Sequence, residues 1–373
     1  MPEKDTIFDF RFTTDDLRFL NLKPGMILSE TKMNLESKKL HILIAYNEPK
    51  KKSDRELDYI SEAAVKDEAD IVYQVILKSG HVPIYFAVKN LDQILSKIDQ
   101  VDPDLIFNLC EGFQGKTHHE MFIAGLWELL EIPYTGNSPL TLGLAQDKVL
   151  SKGLFEARSI PTPKFQVYSE TPRDTILTYP LIAKPSREDA SLGITHEDAI
   201  IHDFDSLKNR VAELLKKYQQ PILVEQFVQG REFNISILGN SPPRVIAISE
   251  ISFSELDDKT PHITSYEAKW LPDHPLYQKT PAICPAHVGN DLKQRLEAVA
   301  LQVYDVLNGR DYGRVDTRVD ADENIFVLEY NPNPDISPDA GFVNALKAAG
   351  IKYKEFIELL IDETLKRKSH DKN

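Results

Sequence analysis

Two hydrophobic periods take turns along the chain. Short apolar runs of strand length recur between stretches whose apolar residues fall three and four apart. From residue 40 this pattern predicts a strand over 41–46 and one or two helices within 54–78, closed by Ser79-Gly80. Strands over 82–88 and 104–109 and a helix over 119–130 follow. Strands alternating with helices imply a parallel sheet with ligands beyond the carboxyl ends of its strands. Ser138-Pro139 then opens a new helix, Ser as N-cap and Pro at the first helical position, which carries Asp147-Lys148. Strands over 179–184 and 222–227 flank an amphipathic helix over 205–218, and 233–238 and 244–251 continue as antiparallel strands. Residues 257–286 are polar, proline-containing and irregular, the character of a mobile active-site loop. Helices are predicted over 291–307 and 353–368.

Between those two helices lies the most informative segment, 312–331. Both flanks alternate apolar and polar residues around Ala321-Asp322-Glu323-Asn324, so the unit reads as a β-hairpin. With those four residues as the loop, Asp320 pairs with Ile325, Asp316 with Glu329 and Arg314 with Asn331. Two carboxylates facing each other across a hairpin repel, and a hard cation relieves the repulsion. Asp316, Glu329 and Asn331 offer only oxygen donors, the chemistry of Mg²⁺, with Mn²⁺ as a substitute. An amphipathic hairpin with a solvated acidic face accounts for the same pattern.

Composition narrows the classes. The chain has 373 residues, enough for two or three domains. Its net charge of -14 argues against a nucleic-acid surface but not against an anionic ligand held by a few buried cations. Cys110 and Cys284 are the only cysteines, so no disulfide framework is expected. No apolar run approaches membrane length and the acidic N-terminus is unlike a signal peptide, which makes a cytoplasmic protein the expectation.

Seven short motifs, taken in order, resemble the D-alanine–D-alanine ligase branch of the ATP-grasp superfamily. They are Ile132-Pro133-Tyr134-Thr135-Gly136, Gln146-Asp147-Lys148, Ile182-Ala183-Lys184-Pro185-Ser186-Arg187, Leu223-Val224-Glu225-Gln226-Phe227 with Gly230-Arg231-Glu232, Tyr266-Glu267-Ala268-Lys269, Gly313-Arg314-Val315-Asp316 and Leu328-Glu329-Tyr330-Asn331. The resemblance covers residues 100–365 and implies a three-domain α/β fold with ATP between the second and third domains. On that basis 1-39 is an N-terminal extension, 40-138 the first α/β domain, 139-230 the central ATP-grasp subdomain and 231-373 the C-terminal one. It implies phosphorylation of a carboxylate by ATP, then attack of an amine on the acyl phosphate. It also implies that Lys148 and Lys184 bind the phosphates and that Lys269 closes on them. Glu225 accepts from the adenine amino group, backbone near Phe227 and Val228 reads the ring, and Glu232 takes the ribose hydroxyls. Asp316, Glu329 and Asn331 hold one or two Mg²⁺, and Arg314 polarises the acyl-phosphate oxygen. Each lysine taken singly reads as a surface side chain.

The departures fall in the substrate half. The family's Gly-Ser-Ser-Val-Gly loop is Asp189-Ala190-Ser191-Leu192-Gly193 here, so Ser191 follows an alanine in place of the first serine. Trp270 replaces the family's tyrosine after Ala-Lys and offers a flat apolar wall for a larger substrate. Cys110-Glu111-Gly112 stands for Leu-His-Gly, and the His-Glu-Val-Ser motif has no counterpart. Glu111 is a candidate for holding an amine, as are Asp335 and Asp339, which serve equally well as loop caps. His118-His119 reads as structural, because neighbours on a helix point apart. The leading expectation is an ATP- and Mg²⁺-dependent ligase that joins a small-molecule carboxylate and amine other than D-alanine. No nucleic-acid or membrane partner is expected, and a homodimer stays open. An inactive ATP-binding regulatory protein and a D-alanine–D-alanine ligase with a divergent site are the alternatives. No biotin-carrier motif favours carboxylation.

Overall fold

The apolar run His-Ile-Leu-Ile-Ala-Tyr-Asn forms β1 (His41–Asn47), buried on both faces. It is followed by α1 (Glu56–Lys78), β2 (Val82–Val88), α2 (Leu91–Val101) and β3 (Leu105–Leu109). The strands form a parallel sheet of order β2-β1-β3, Ile42 pairing with Pro83 and Leu105. Alternate β1 residues serve different cores, as strand geometry requires. Ile42 and Ile44 pack with Val65, Val72 and Ile76 of α1, whereas Leu43 and Ala45 pack with Ile94, Ile123 and Trp127. The computed structural model describes residues 38–47, 56–188, 199–257, 260–271 and 273–370, and Lys39–Asn373 form one unit. The expected extension over 1-39 lies outside the described residues except for its last two, as do Ala190 and Ser191.

Helix α2 is an addition to the expected elements. Asn90 caps it by accepting from Gln93 N–H at 2.9 Å, and Asp102 ends it in the left-handed region at φ 46°. The third strand starts one residue later than its apolar run, because the Asp104 carboxylate instead accepts from His41 N–H at 2.9 Å. Next come α3 (Glu120–Leu129), α4 (Pro139–Gln146) and α5 (Lys148–Ala157). The single helix expected to carry Asp147-Lys148 is two. Ser138 caps the first as expected. Asp147 then turns extended at ψ 94°, and its carboxylate accepts from the N–H groups of Val149 and Leu150. Lys148 thus opens α5 rather than closing α4.

A second sheet, of order β4-β6-β5, is built from β4 (Phe165–Tyr168), β5 (Leu181–Pro185) and β6 (Ile222–Gln226), covered by α6 (Phe204–Tyr218). The third comprises β7 (Arg231–Leu238), β8 (Arg244–Ile251), β9 (Ala282–Ile283), β10 (Tyr312–Val319) and β11 (Ile325–Asn331) in the order β11-β10-β7-β8-β9. Residues 257–286, read as irregular, hold α7 (Tyr266–Trp270), α8 (Pro275–Lys279) and β9, with Ser265 capping α7. Helix α9 (Asn290–Val306) precedes the hairpin, and α10 (Gly341–Ala348), unforeseen, and α11 (Tyr353–His370) follow it. Among the described residues no helix is long and apolar enough to cross a membrane.

The hairpin register is right where the chemistry lies and wrong at its tip. Asp316 pairs with Glu329 and Arg314 with Asn331, but Ile325 pairs with Val319 and not with Asp320. The loop is one residue longer than expected, because Asp320 accepts from Asp322 and Asn324 N–H and becomes its cap. A bulge between Asp316 and Thr317 restores the functional pairs. Gly230 is required where β7 begins. Its φ is 152°, and a Cβ there would lie 1.9 Å from the Val319 carbonyl oxygen.

Asp311 ties the layers together. Its fully buried carboxylate accepts from Gly136 N–H at 2.8 Å, from Asn240 Nδ2 at 3.1 Å and from the Arg367 guanidinium. One side chain thereby joins the exit of the first layer, the β7–β8 turn and α11. Breaking a buried pair from one side costs about 3–5 kcal/mol, because the other charge is left unpaired. Asp311→Ala should lower the free energy of unfolding in urea by about that much, and an unchanged midpoint would contradict the assignment.

Candidate active site

Alternation along β7 and β10, together with the bulge in β11, gives the third sheet two unlike faces. Phe233, Ile235, Val315, Val319 and Val327 enter a core with Leu296, Ala300 and Val303 of α9. The opposite face carries Glu232, Asn234, Arg314, Asp316, Arg318, Glu329 and Asn331, because Arg314 pairs with Ser236, Asp316 with Asn234 and Arg318 with Glu232 across β7.

Every carboxylate on that face already has a cation. Arg314 donates to Asp316 through Nε at 2.7 Å and a terminal nitrogen at 2.8 Å, and Asn234 Nδ2 donates to Asp316 at 2.8 Å. Burial works against the Arg314 charge, but Asp316 more than offsets it and holds the guanidinium's pKa above its ordinary value. Glu329 lies 3.2 Å from Lys148 Nζ, which also donates to the Glu188 carbonyl at 2.8 Å. Burial would push the Glu329 carboxyl up, but Lys148, Lys184 and Lys269 together hold it down to about 2. Asn331 accepts from Asn333 N–H at 3.0 Å. Asp316, Glu329 and Asn331 therefore present oxygen donors to one side, a set that fits a hard divalent cation. Three acidic, thiol or imidazole side chains in metal-binding array do not occur among the described residues.

On the second sheet, Lys184 Nζ lies 2.7 Å from Glu225, whose other oxygen contacts Lys152. Burial raises the Glu225 pKa, but the two ammonium charges overcome it and leave the group lowered. Glu232 accepts from Thr264 Oγ1 at 2.6 Å and pairs with Arg318 at 3.3 Å. Burial dominates both, raising the carboxyl and lowering the guanidinium. Arg318 also stacks on Phe227, 4.9 Å from the ring centre. Phe227 N–H donates to the Pro180 carbonyl at 2.9 Å. Lys269 stands exposed in α7, beside Trp270.

Comparison with known proteins places this geometry. The family described as D-ala D-ala ligase C-terminus matches residues 158–362. The D-alanine–D-alanine ligase of Carboxydothermus hydrogenoformans is 30% identical over 307 residues, 78% of this chain and 90% of that protein. The uncharacterized protein y4sG of Sinorhizobium fredii is 32% identical over 306 residues, 80% of this chain and 88% of its own. The chain belongs to the D-alanine–D-alanine ligase family. It is an ATP-grasp ligase, and its fold is also that of the Bacillus anthracis D-alanine–D-alanine ligase complexed with ATP. That match has a TM-score of 0.69 at 20% identity, covering 89% of this chain and 99% of that one.

A further acidic group is formed by Glu68, Glu111 and Asp335. Glu68, unnoticed in the sequence, is buried in α1, with Glu111 and Asp335 close enough to act on its charge. Burial first, then a hydrogen bond to Asp335 and the Glu111 charge, push the Glu68 carboxyl well up, while it accepts from Ile336 N–H at 2.8 Å. Asp335 also caps its own turn, accepting from Ser337 N–H at 2.7 Å, which is the loop-cap role weighed for it. Asp339 is exposed, and its carbonyl accepts from Asn344 Nδ2 in the approach to α10. His118 and His119 pack edge to face with ring centres 4.4 Å apart in a 3-10 turn, so they do not point apart as a helix would require. Cys110 and Cys284 are free thiols. Lys152 was missed because its charge is visible in sequence and its burial is not. Glu68 was missed for the same reason.

The raised Glu68 carboxyl makes stability depend on pH. A raised group adds stability below its ordinary value of 4.5, and that stability is lost as pH rises through the folded value. Glutamine reproduces the protonated form, accepting and donating in the same places. Glu68→Gln should therefore gain stability relative to the native protein as pH rises from about 5 to about 9 in urea unfolding series. A constant difference across that range would contradict the protonated pair.

Proposed function

We propose that this protein is an ATP- and Mg²⁺-dependent carboxylate–amine ligase that forms an amide bond through an acyl phosphate. The observation that carries the reading is the single sheet face on which Arg314, Asp316, Glu329 and Asn331 stand beside Lys148. Joining a carboxylate to ATP brings anions together, and preorganised cations lower the cost. Lys148 and Lys184 take the phosphates, exchanging their present carboxylate partners for them. Lys269, carried by α7, closes from the far side. Glu225 accepts from the base amino group, Phe227 and Val228 line the ring, and Glu232 meets the ribose while Arg318 holds it in place. Asp316, Glu329 and Asn331 hold Mg²⁺ (or Mn²⁺), which neutralises phosphate charge when bound.

The substrate carboxylate oxygen bonds to the γ-phosphorus, and ADP leaves with the bridging electron pair. Arg314 donates to the acyl-phosphate oxygen. The amine nitrogen then bonds to the acyl carbon, and inorganic phosphate leaves with the original carboxylate oxygen. Ala190, Ser191 and Trp270, together with acidic Glu111 and Asp335, support substrates other than D-alanine, with the ammonium of the amine near the acids. The limits 40-138, 139-230 and 231-373 are proposed for the three domains, and the cytoplasm, with its ATP supply, as the place of action.

Phosphate release measured against a panel of carboxylic acids and amino acids tests this reading. Turnover should require one acid and one amine together, and D-alanine alone should give little. D-alanine-dependent release at about 1 per second or faster would show a D-alanine–D-alanine ligase instead. Release with no pair in the panel, despite tight ATP binding, would favour a regulatory protein. Glu329→Gln should abolish turnover while the protein still folds, with a lowered urea midpoint because buried Lys148 loses its carboxylate partner. Lys269→Ala should lower kcat at least about tenfold while ADP binding stays within about threefold, because ADP lacks the γ-phosphate. Equal losses in both would refute the closing role.

A further inference from the structure

Lys152 has no part in the roles above, yet it is placed at a cost. Its side chain is 0% exposed, and a buried ammonium is tolerated only when well paired. It lies one turn beyond Lys148 in α5 and contacts one Glu225 oxygen. It also hydrogen-bonds to Thr162 Oγ1, which donates to the Val327 carbonyl of β11 at 2.8 Å. Its ammonium lies 5.6 Å from the centre of the Phe165 ring. The second Glu225 oxygen is 2.7 Å from Lys184, whose side chain is 10% exposed. One buried carboxylate thus sits between two ammonium groups, one sealed in and one at the open edge.

A polyphosphate offers Lys184 a stronger partner than a shared carboxylate. Once Lys184 turns to it, Glu225 would be a buried carboxylate with one cation left. Without that cation the group would take up a proton and gain a hydroxyl donor, which suits a carbonyl on the base as readily as an amino group. We propose that Lys152 is a positioning residue for base selection, fixing Glu225 as a charged acceptor for an amino group while Lys184 serves the phosphates. This rests on the reading of Glu225 given above. A role limited to joining the two sheets would weaken every nucleotide alike.

The test is calorimetric binding of ADP and of inosine diphosphate, which carries a carbonyl in place of the amino group, to the full chain with Mg²⁺. Stoichiometry counts the folded fraction, so partial unfolding does not distort the affinities. The native protein should prefer ADP. Lys152→Met should weaken ADP about tenfold and leave inosine diphosphate within about threefold, the scale of one charge-assisted hydrogen bond. Lys152→Arg, which keeps the charge, should retain the preference, and this holds the proposal to account if the methionine variant does not fold. Equal weakening of both nucleotides by Lys152→Met, or loss of the preference in a binding-competent Lys152→Arg, overturns the proposal. Glu225→Gln separates the two readings. If it abolishes the preference and Lys152→Met does not, Lys152 has no such role and Glu225 keeps its own. If Glu225→Gln leaves the preference intact, the reading of Glu225 falls and the proposal falls with it.

Discussion

The sheet of β7, β10 and β11 has to meet two opposite environments at once. One face closes an apolar core against α9, and the other carries seven charged or amide side chains. Side chains alternate along β7 and β10, and in β11 the bulge at Leu328 carries Glu329 and Asn331 to the face opposite Val327. A slip of one residue would bury Asp316 and Glu329 and expose Val315 and Val327. The apolar face therefore fixes the register on which the polar face depends, and the bulge after Asp316 absorbs the longer loop without disturbing it.

Charge balance follows from that placement. Carboxylates gathered at the edge of a core are costly unless each has a partner. The protein supplies the partners from other elements: Lys148 from α5, Lys184 from β5 and Arg314 from β10 itself. These ion pairs hold the site together, and the same cations are the ones proposed to meet phosphate. The partners come from α5 and from both the second and third sheets, so the site is complete only when those elements are held together. Lys152 and Thr162 link them directly, and Asp311 fastens the third sheet to the first layer and to α11.

Much of this was legible in sequence, for a physical reason. Most strands were found because a buried parallel strand is a continuous apolar run and a half-buried one alternates, whereas the short β4 and β9 carry too few residues to show either pattern. The site pairs of the hairpin were found because alternation carries register. What stayed hidden depends on side-chain capping and on contacts distant in sequence. The break between α4 and α5 comes from the Asp147 carboxylate bonding to Val149 and Leu150, and α2 from the Asn90 cap. The burial of Glu68 and Lys152 comes from packing against residues far away in the chain, which no local pattern reveals.

The account stands or falls on whether a carboxylate oxygen is transferred to phosphorus. With an acid substrate labelled with oxygen-18 in its carboxylate, the inorganic phosphate released during amide formation can be analysed by mass spectrometry. An acyl phosphate predicts that each phosphate formed carries one labelled oxygen, drawn from the carboxylate. Phosphate free of label, with amide still being formed, would show that the carboxylate never attacks the γ-phosphorus and would contradict the mechanism.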